Sequence, residues 1–232
     1  MEISIQPCPY LPNRESRAII LSDPGSPEVL DYHLSRGWRR AGAYFYRYRC
    51  QGCSLCIPLR LVAANPLESH RRRKRLESRN KDIEIVPSSH IIKEEWIGLL
   101  ARYAETRHET PADEAEETLY SFLASPYALP LEYRDRAGKL VGLSFLEKGI
   151  RSLSSVYFAF APEEAGRSLG TYSVFRETEA ARAWGFSYYY LGFWVPGSRK
   201  MDYKADFHPF EILTPCGKWQ GFMDRGEDAL PR

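Results

Sequence analysis

Apolar residues recur along this chain with two periods, one helical and one typical of strands. Trp96, Leu99, Leu100 and Tyr103 follow the helical spacing and predict a helix from about residue 93 to residue 109. Propensity and end signals predict further helices over residues 27–36, 69–78 and 115–123, and a long one that ends near residue 184. β-prone runs predict strands at residues 18–21, 43–49, 59–64, 131–134, 140–147, 153–160 and 188–194.

The segment from residue 153 to residue 194 says most about the fold. It follows the order strand, long helix, strand, and its last run is apolar enough for a strand buried on both faces. Such a unit places its two strands parallel to each other in one sheet. We therefore expect an α/β fold with a mixed sheet of five to seven strands, helices on both faces, and a ligand site where the long helix begins.

Composition narrows the class of protein. Of the 232 residues, 44% are hydrophobic and 27% are charged, which is typical of a globular protein. No apolar run reaches the roughly 18 residues of a membrane helix, and the first residues lack the charged and apolar regions of a secretory leader. These features predict a cytoplasmic protein with no membrane partner.

The net charge of +2 conceals a basic N-terminal part. Residues 1–86 carry 15 Lys and Arg against 9 Asp and Glu, whereas the remaining residues carry 17 against 21. Much of the excess lies in the predicted helix at 69–78, which favours a polyanionic partner. The alternative is a solvated helix face, the commoner role of a charge run. The candidate phosphate-binding residues are Arg71, Arg72, Arg73, Lys74 and Arg75 in this helix, and Arg79 just after it.

Five cysteines are an odd number for a disulfide framework, and three of them, Cys50, Cys53 and Cys56, recur every third residue. With Cys8 they supply four thiolates, which is enough for a tetrahedral zinc ion or an iron–sulfur cluster. The alternative is a set of free thiols in a packed loop. Cys216, alone near the C-terminus, is expected to be a buried apolar residue.

Short motifs in a fixed order extend over nearly the whole chain. They are Cys8-Pro9-Tyr10-Leu11-Pro12, Gly37-Trp38-Arg39-Arg40, Cys50-x-x-Cys53-x-x-Cys56, Arg79-Asn80-Lys81-Asp82, Tyr103 with Arg107-His108, the stretch from Arg167 to Tyr172, that from Tyr190 to Trp194, and that from Ser198 to Glu211. Together they resemble the aminoacyl-tRNA–protein transferase family. The resemblance is to its short bacterial form, the aspartate/glutamate leucyltransferases, which are related to the arginyl-tRNA–protein transferases.

The resemblance implies a cysteine-containing basic domain at residues 1–86 and a catalytic domain with the fold of the acyl-CoA N-acyltransferases at residues 87–232. It implies transfer of an aminoacyl group from tRNA to the α-amine of proteins that begin with Asp or Glu, which marks them for degradation. Leucine is the expected donor and arginine the alternative. No cofactor is expected for the transfer itself, and related transferases suggest a cluster at the N-terminal cysteines.

An acceptor that begins with Asp or Glu presents a carboxylate, which Arg or Lys should receive. The candidates are Arg167, Lys200 and Lys204, with Ser198 in the same segment and Arg40 and Arg107 as further choices. Lys200 and Lys204 could instead form a solvated helix face. Tyr172, Tyr190 and Tyr203 are candidate catalytic residues, for which the alternative is a hydrogen-bonded place in the core.

A leucyl donor and an arginyl donor require different surroundings for the transferred side chain. The apolar surroundings of Leu169, Tyr190 and Phe193 would suit leucine. Arginine would need a buried carboxylate, and the nearest candidates in sequence are Glu177, Glu179 and Asp202.

Two other functions compete with this interpretation. One is a non-catalytic module in which the cysteines hold zinc and the basic helix binds RNA. The other is an N-acetyltransferase that uses acetyl-CoA, which is disfavoured because residues 161–170 lack a glycine-rich pyrophosphate loop.

Overall fold

The computed structural model describes residues 1–23, 25–67, 70–108 and 114–223. The strands are β1 (Glu2–Pro7), β2 (Glu15–Ser22), β3 (Arg39–Ala41), β4 (Tyr44–Tyr48), β5 (Ile57–Val62), β6 (Glu84–Pro87), β7 (Ala128–Arg134), β8 (Leu140–Lys148), β9 (Ser152–Phe160), β10 (Tyr188–Trp194), β11 (Phe210–Leu213) and β12 (Trp219–Phe222). The helices are α1 (Pro27–Ser35), α2 (His70–Arg79), α3 (Glu94–His108), α4 (Ala115–Leu123) and α5 (Leu169–Ala183), with 3₁₀ helices at Pro162–Arg167 and Asp202–Asp206.

A small antiparallel sheet with the order β1-β2-β4-β3 forms the first part of the chain. Helix α1 packs on it and buries Leu30 and Leu34 against Phe45. The helix begins where the sequence predicted, because the Ser26 hydroxyl accepts a hydrogen bond from the Val29 amide at 3.2 Å. Gly37, at a φ of +77°, follows the end of the helix.

A large mixed sheet has the order β12-β11-β5-β10-β9-β8-β7-β6. It therefore has eight strands within the described residues, and the expectation of five to seven was too low. Strand β5 comes from the N-terminal part of the chain yet lies beside β10. The short strands β6 and β12 complete the two edges. Only the β9–β10 pair is parallel among the described pairs, as the strand–helix–strand segment predicted.

Helices cover both faces of the large sheet, as expected. Adjacent residues of a strand point to opposite faces. On β9, Phe158 packs with the cluster that includes α5 and α2, whereas Tyr157 packs with the cluster that includes α3 and α4. On β10, Tyr189 lies on the α5 side and Tyr190 packs with α1 and β4. The small sheet thus lies on the face of the large sheet opposite to α5.

The five predicted helices are present, each within a few residues of its predicted ends. None of the helices in the described ranges combines the length and the apolar character needed to span a bilayer. Sheet membership does not divide the chain at residue 86, because β5 belongs to the large sheet. The division into domains at residues 1–86 and 87–232 stays a prediction.

Candidate active site at the end of the parallel strand pair

The parallel strands β9 and β10 are paired over only three residues each, and then they separate. Strand β9 continues to Phe160 and β10 continues to Trp194, without further pairing between them. The gap opens toward the N-terminus of α5, the place where the sequence predicted a ligand. We call the point of separation the strand fork. Its paired residues are Tyr188 with Ser152, Tyr189 with Leu153, and Tyr190 with Ser154.

Arg39 reaches the strand fork from the small sheet. Its side chain donates to the Ser154 hydroxyl at 3.1 Å and to the Ser155 carbonyl, immediately after the last paired residue of β9. The residue is 7% exposed. Gly192 of β10 lies directly against it, since a Cβ atom there would be 2.9 Å from the Arg39 Cζ atom. The guanidinium is therefore held between the two separating strands.

Lys204 reaches the strand fork from the 3₁₀ helix at Asp202–Asp206. Its ammonium group donates to the carbonyl of Leu191 at 2.7 Å, just past the last paired residue of β10. Burial, and then the positive charge of Arg39, lower the pKa of Lys204 to about 7. Each separating strand thus has a carbonyl that accepts a hydrogen bond from a basic side chain.

The strand fork has an excess of positive charge. Among the described residues, neither Arg39 nor Lys204 lies within 4.0 Å of a carboxylate in an ion pair. The charge of Arg39 does act on Glu147, but that carboxylate lies 3.3 Å from Arg40. The buried Arg39 and the partly buried Lys204 act on each other, and two such cations are costly unless an anion joins them.

Tyrosines line the space beyond the strand fork. Tyr157 of β9 packs edge-to-face on Tyr103 of α3, with ring centroids 6.2 Å apart. Burial of the hydroxyl, together with Tyr103 and Glu177, raises the pKa of Tyr203 to about 12. Of the three predicted catalytic tyrosines, Tyr203 adjoins Lys204 in the 3₁₀ helix at Asp202–Asp206, and Tyr190 is the last paired residue of β10 at the strand fork itself.

The other two predicted catalytic tyrosines have structural surroundings. The Tyr190 hydroxyl accepts a hydrogen bond from Arg60 at 3.0 Å, and the ring packs with Leu30, Leu34 and Phe45. Tyr172 is buried in the core beneath α5. These positions favour the core role for both residues, and their assignment as catalytic stays an untested prediction.

The predicted acceptor ligands are also placed differently from one another. Arg167 forms ion pairs with Asp82 and Glu164 and ties the loop after β9 to the end of α2, so its charge is already offset. Lys200 is exposed in the turn after β10. Ser198 is 2% exposed, and its carbonyl accepts the amides of the turn that leads to Lys204. Of this group, only Lys204 contributes its charge to the strand fork.

The predicted carboxylates for an arginyl donor are all engaged. Glu177 is buried and accepts hydrogen bonds from the hydroxyls of Tyr133, at 2.9 Å, and Tyr189. Burial raises the pKa of Glu177. Glu179 pairs with Arg73 and Arg176, and Asp202 accepts the Trp194 indole N–H at 3.0 Å.

The basic run lies on α2 and divides into two groups. Arg72 pairs with Asp206 at 3.2 Å, and Arg73 pairs with Glu77 and Glu179, so these two attach α2 to its neighbours. Lys74 and Arg75 are exposed. Arg79 is exposed too, and it donates to the Gly166 carbonyl at 2.7 Å. The side chain of Arg71 lies outside the described part of the structure.

Four cysteines line one small pocket. Cys8, Cys50, Cys53 and Cys56 face it together with Tyr10. Burial, and then the other three thiols, raise the pKa of Cys56 to about 12, which shows that the sulfur atoms lie near one another. The donor set suits zinc or a cluster, but among the described residues no three ligands are arranged to hold a metal ion. Metal binding at these cysteines stays a prediction.

The remaining cysteine corrects one expectation. Cys216 is exposed beside Thr214, in the turn between β11 and β12, and is not a buried apolar residue. A single apolar residue next to a turn carries no signal of which way it points.

Arg39 is the main residue that sequence reasoning missed. It lies in the Gly37-Trp38-Arg39-Arg40 motif, but adjacent arginines give no sign of which one is buried at a site. The indirect signal was Gly192 in the Tyr190–Trp194 motif, where a glycine interrupts an otherwise bulky buried strand.

Comparison with known proteins agrees with this architecture. Residues 95–214 match the family described as "Arginine-tRNA-protein transferase, C terminus", and residues 6–75 match its N-terminal counterpart. An aspartate/glutamate leucyltransferase of Chromohalobacter salexigens is 36% identical over 214 residues, covering 89% of this chain and 86% of the relative. One from Saccharophagus degradans is 33% identical over 227 residues, covering 94% of both chains.

A solved structure resembles the fold as well. The C-terminal domain of a putative lysylphosphatidylglycerol synthetase from Agrobacterium fabrum matches with a TM-score of 0.52 at 15% identity, covering 83% of this chain and 62% of that one. The fold is the mixed α/β arrangement that the sequence predicted. With both family matches and these relatives, the chain belongs to the arginine-tRNA–protein transferase family.

Proposed function

We propose that this protein transfers leucine from leucyl-tRNA to the α-amine of proteins that begin with Asp or Glu. The observation that carries the proposal is the strand fork, where the buried Arg39 and the partly buried Lys204 lie with no carboxylate paired to either among the described residues. A site of this charge suits an acceptor that brings its own carboxylate. The relatives that match over most of the chain are named aspartate/glutamate leucyltransferases.

The reaction depends more on positioning the two substrates than on a covalent intermediate with the protein. The α-amine attacks the ester carbonyl of the aminoacyl-tRNA, an amide bond forms, and the bond to the ribose oxygen of the tRNA breaks. The amine loses a proton and the departing ribose oxygen gains one, so no oxidant or metal enters the balance. Holding the amine and the ester in attack geometry supplies about 7–11 kcal/mol in the best-oriented cases.

Lys204 is the group at the strand fork best suited to accept the proton. With a pKa of about 7, it is partly neutral at physiological pH, as a general base must be. A neutral amine attracts a carboxylate poorly. The lowered pKa therefore favours the role of proton acceptor over the predicted role of carboxylate ligand.

The surroundings of the strand fork favour leucine over arginine as the donor. The aromatic side chains of Tyr157 and Phe160, on β9 beyond the strand fork, pack against Tyr103. The three carboxylates considered for arginine are already engaged by hydroxyl, indole or guanidinium donors. We further propose that the products enter N-degron degradation, and that the protein acts in the cytoplasm where charged tRNA is available.

The test supplies purified protein with peptides that begin with Asp, Glu, Ala or Lys, and with leucyl-tRNA or arginyl-tRNA in turn. Mass spectrometry then detects the residue added at each N-terminus. We expect leucine to be added to the Asp and Glu peptides alone. Addition of arginine to them would show that arginyl-tRNA is the donor. Tight tRNA binding without any product would overturn the proposal in favour of an RNA-binding module.

A further inference from the structure

Arg39 is a buried cation whose charge has no carboxylate partner among the described residues. Its guanidinium donates to the Ser154 hydroxyl and to the Ser155 carbonyl, both neutral acceptors, while the residue is only 7% exposed. Arginine does not lose its proton in proteins, so it cannot avoid the cost of burial by becoming neutral. A buried guanidinium between neutral groups is stabilised when an anion arrives.

From this we infer that Arg39 binds the side-chain carboxylate of the acceptor and so determines the selectivity for N-terminal Asp and Glu. The inference rests on the proposed function and assigns its selectivity to one residue of the small sheet. Arg39 has five N–H donors, of which the described contacts use a minority, so donors remain for a carboxylate.

The position of Arg39 is fixed by three residues on two strands. Ser154 and Ser155 hold it on β9, and the backbone of Gly192 lies against it on β10, where a Cβ atom would be 2.9 Å from Cζ. A guanidinium fixed in this way is already oriented for a planar carboxylate, and binding costs little further ordering. It also lies close enough to affect Lys204, the proposed proton acceptor for the neighbouring amine.

The other basic candidates fit this role less well. Arg40 lies 3.3 Å from Glu147, and Arg167 pairs with Asp82 and Glu164. Lys200 is exposed, so water would weaken its attraction for a carboxylate. Arg39 alone among them combines burial with a charge that no described carboxylate pairs.

The experiment compares acceptors that differ only in charge at the first residue. Peptides that begin with Asp, Asn, Glu or Gln are leucylated by the wild type, Arg39→Gln and Ser154→Ala, and kcat/KM is measured for each. For Arg39→Gln we expect a loss of about 100-fold or more with Asp and Glu and less than about 3-fold with Asn and Gln. Ser154→Ala should lower the Asp to Asn ratio several-fold, because it removes one of the bonds that orient the guanidinium.

A structural role would give a different result. If Arg39 only holds the strands, its replacement should lower kcat/KM for all four peptides in parallel, which would overturn the inference. Ser154→Ala is a small change at a buried site, so it keeps the question answerable even if Arg39→Gln fails to fold. If the wild type leucylates no peptide, the proposed function fails instead.

Arg47→Gln is the matched control. Arg47 lies on the next strand of the same sheet, over the ring of Trp38 at 4.5 Å, and away from the contacts of the strand fork. Its replacement removes one positive charge from the same part of the molecule. The ratio of Asp to Asn activity should remain that of the wild type. A ratio that fell as far as in Arg39→Gln would show a general charge effect and would overturn the assignment to Arg39.

Discussion

Gly192 determines, at the scale of a single residue, how closely the two strands hold Arg39. Its φ of +89° belongs to the region that glycine adopts readily, and an added Cβ atom would collide with the guanidinium. We expect Gly192→Ala to destabilise the fold by about 1–3 kcal/mol and to lower transfer to Asp peptides at least tenfold. Urea unfolding and leucylation rates measure the two effects.

Gly138 offers the control for that prediction. It has a similar φ of +80°, in the turn between β7 and β8, but nothing lies within 4 Å of its added Cβ atom. Gly138→Ala should therefore show the backbone cost without the loss of transfer. Equal transfer rates in the two variants would mean that contact with Gly192 does not matter for Arg39.

Lys204 should make the rate of transfer depend on pH. Its lowered pKa of about 7 means that the group is charged below pH 7 and neutral above it. A base must be neutral, so the contribution of Lys204 to kcat at saturating acceptor should rise about tenfold per pH unit below pH 7 and level off above it. Initial rates between about pH 5.5 and 8 provide the measurement.

Lys204→Met separates this effect from titration of the acceptor, whose own α-amine has a pKa of about 8. The variant should lose about 10²–10⁴ in kcat, and its pH profile should keep only the rise toward pH 8 that the α-amine gives, without the contribution that levels off at pH 7. A variant with a wild-type pH profile would exclude Lys204 as the proton acceptor.

At the scale of an element, helix α2 shows that neighbouring basic residues of one run can have different roles. Arg72 and Arg73 contact carboxylates of the 3₁₀ helix at Asp202–Asp206 and of α5, whereas Lys74 and Arg75 are exposed. We expect the double change of Lys74 and Arg75 to Gln to weaken tRNA binding about tenfold. Because this change removes two positive charges that can neutralise phosphates, the slope of log K against log salt should also become shallower by about 1.4–1.8.

Filter binding at several salt concentrations tests this prediction. Replacing Arg136 and Lys148 with Gln removes two exposed positive charges near the ends of β8 and serves as the control. Equal changes in affinity and slope for the two double variants would show that α2 has no special role in binding tRNA.

Local elements were predictable from the sequence, whereas their assembly was less so. The capped start of α1 and the strand–helix–strand unit depend on residues close together in the chain, and both are confirmed. The strand at 59–64 was predicted, but not that it joins the large sheet as β5, and the short strands β6, β11 and β12 were not predicted. Arg39 was not predicted for the same reason, since it contacts Ser154 at the strand fork from 115 residues away in the sequence.

At the scale of the whole molecule, the buried pair of Arg40 and Glu147 joins the small sheet to the large one. The Arg40 Nε and Glu147 Oε1 atoms are 3.3 Å apart, and both side chains are 2% exposed. Burial raises the pKa of Glu147 to about 7, although the charge of Arg40 opposes this rise. At pH 8, where Glu147 is ionised, Glu147→Gln should lower the free energy of unfolding in urea by about 3–5 kcal/mol, because it leaves a buried charge uncompensated.

The control is the ion pair of Lys139 and Glu163, which are 3.1 Å apart but half exposed. Lys139→Gln should therefore lower the free energy of unfolding by at most about 1 kcal/mol. Similar small losses in both variants would show that the pair of Arg40 and Glu147 does not hold the sheets together, and that Arg39, its neighbour in β3, is positioned by the strand fork alone.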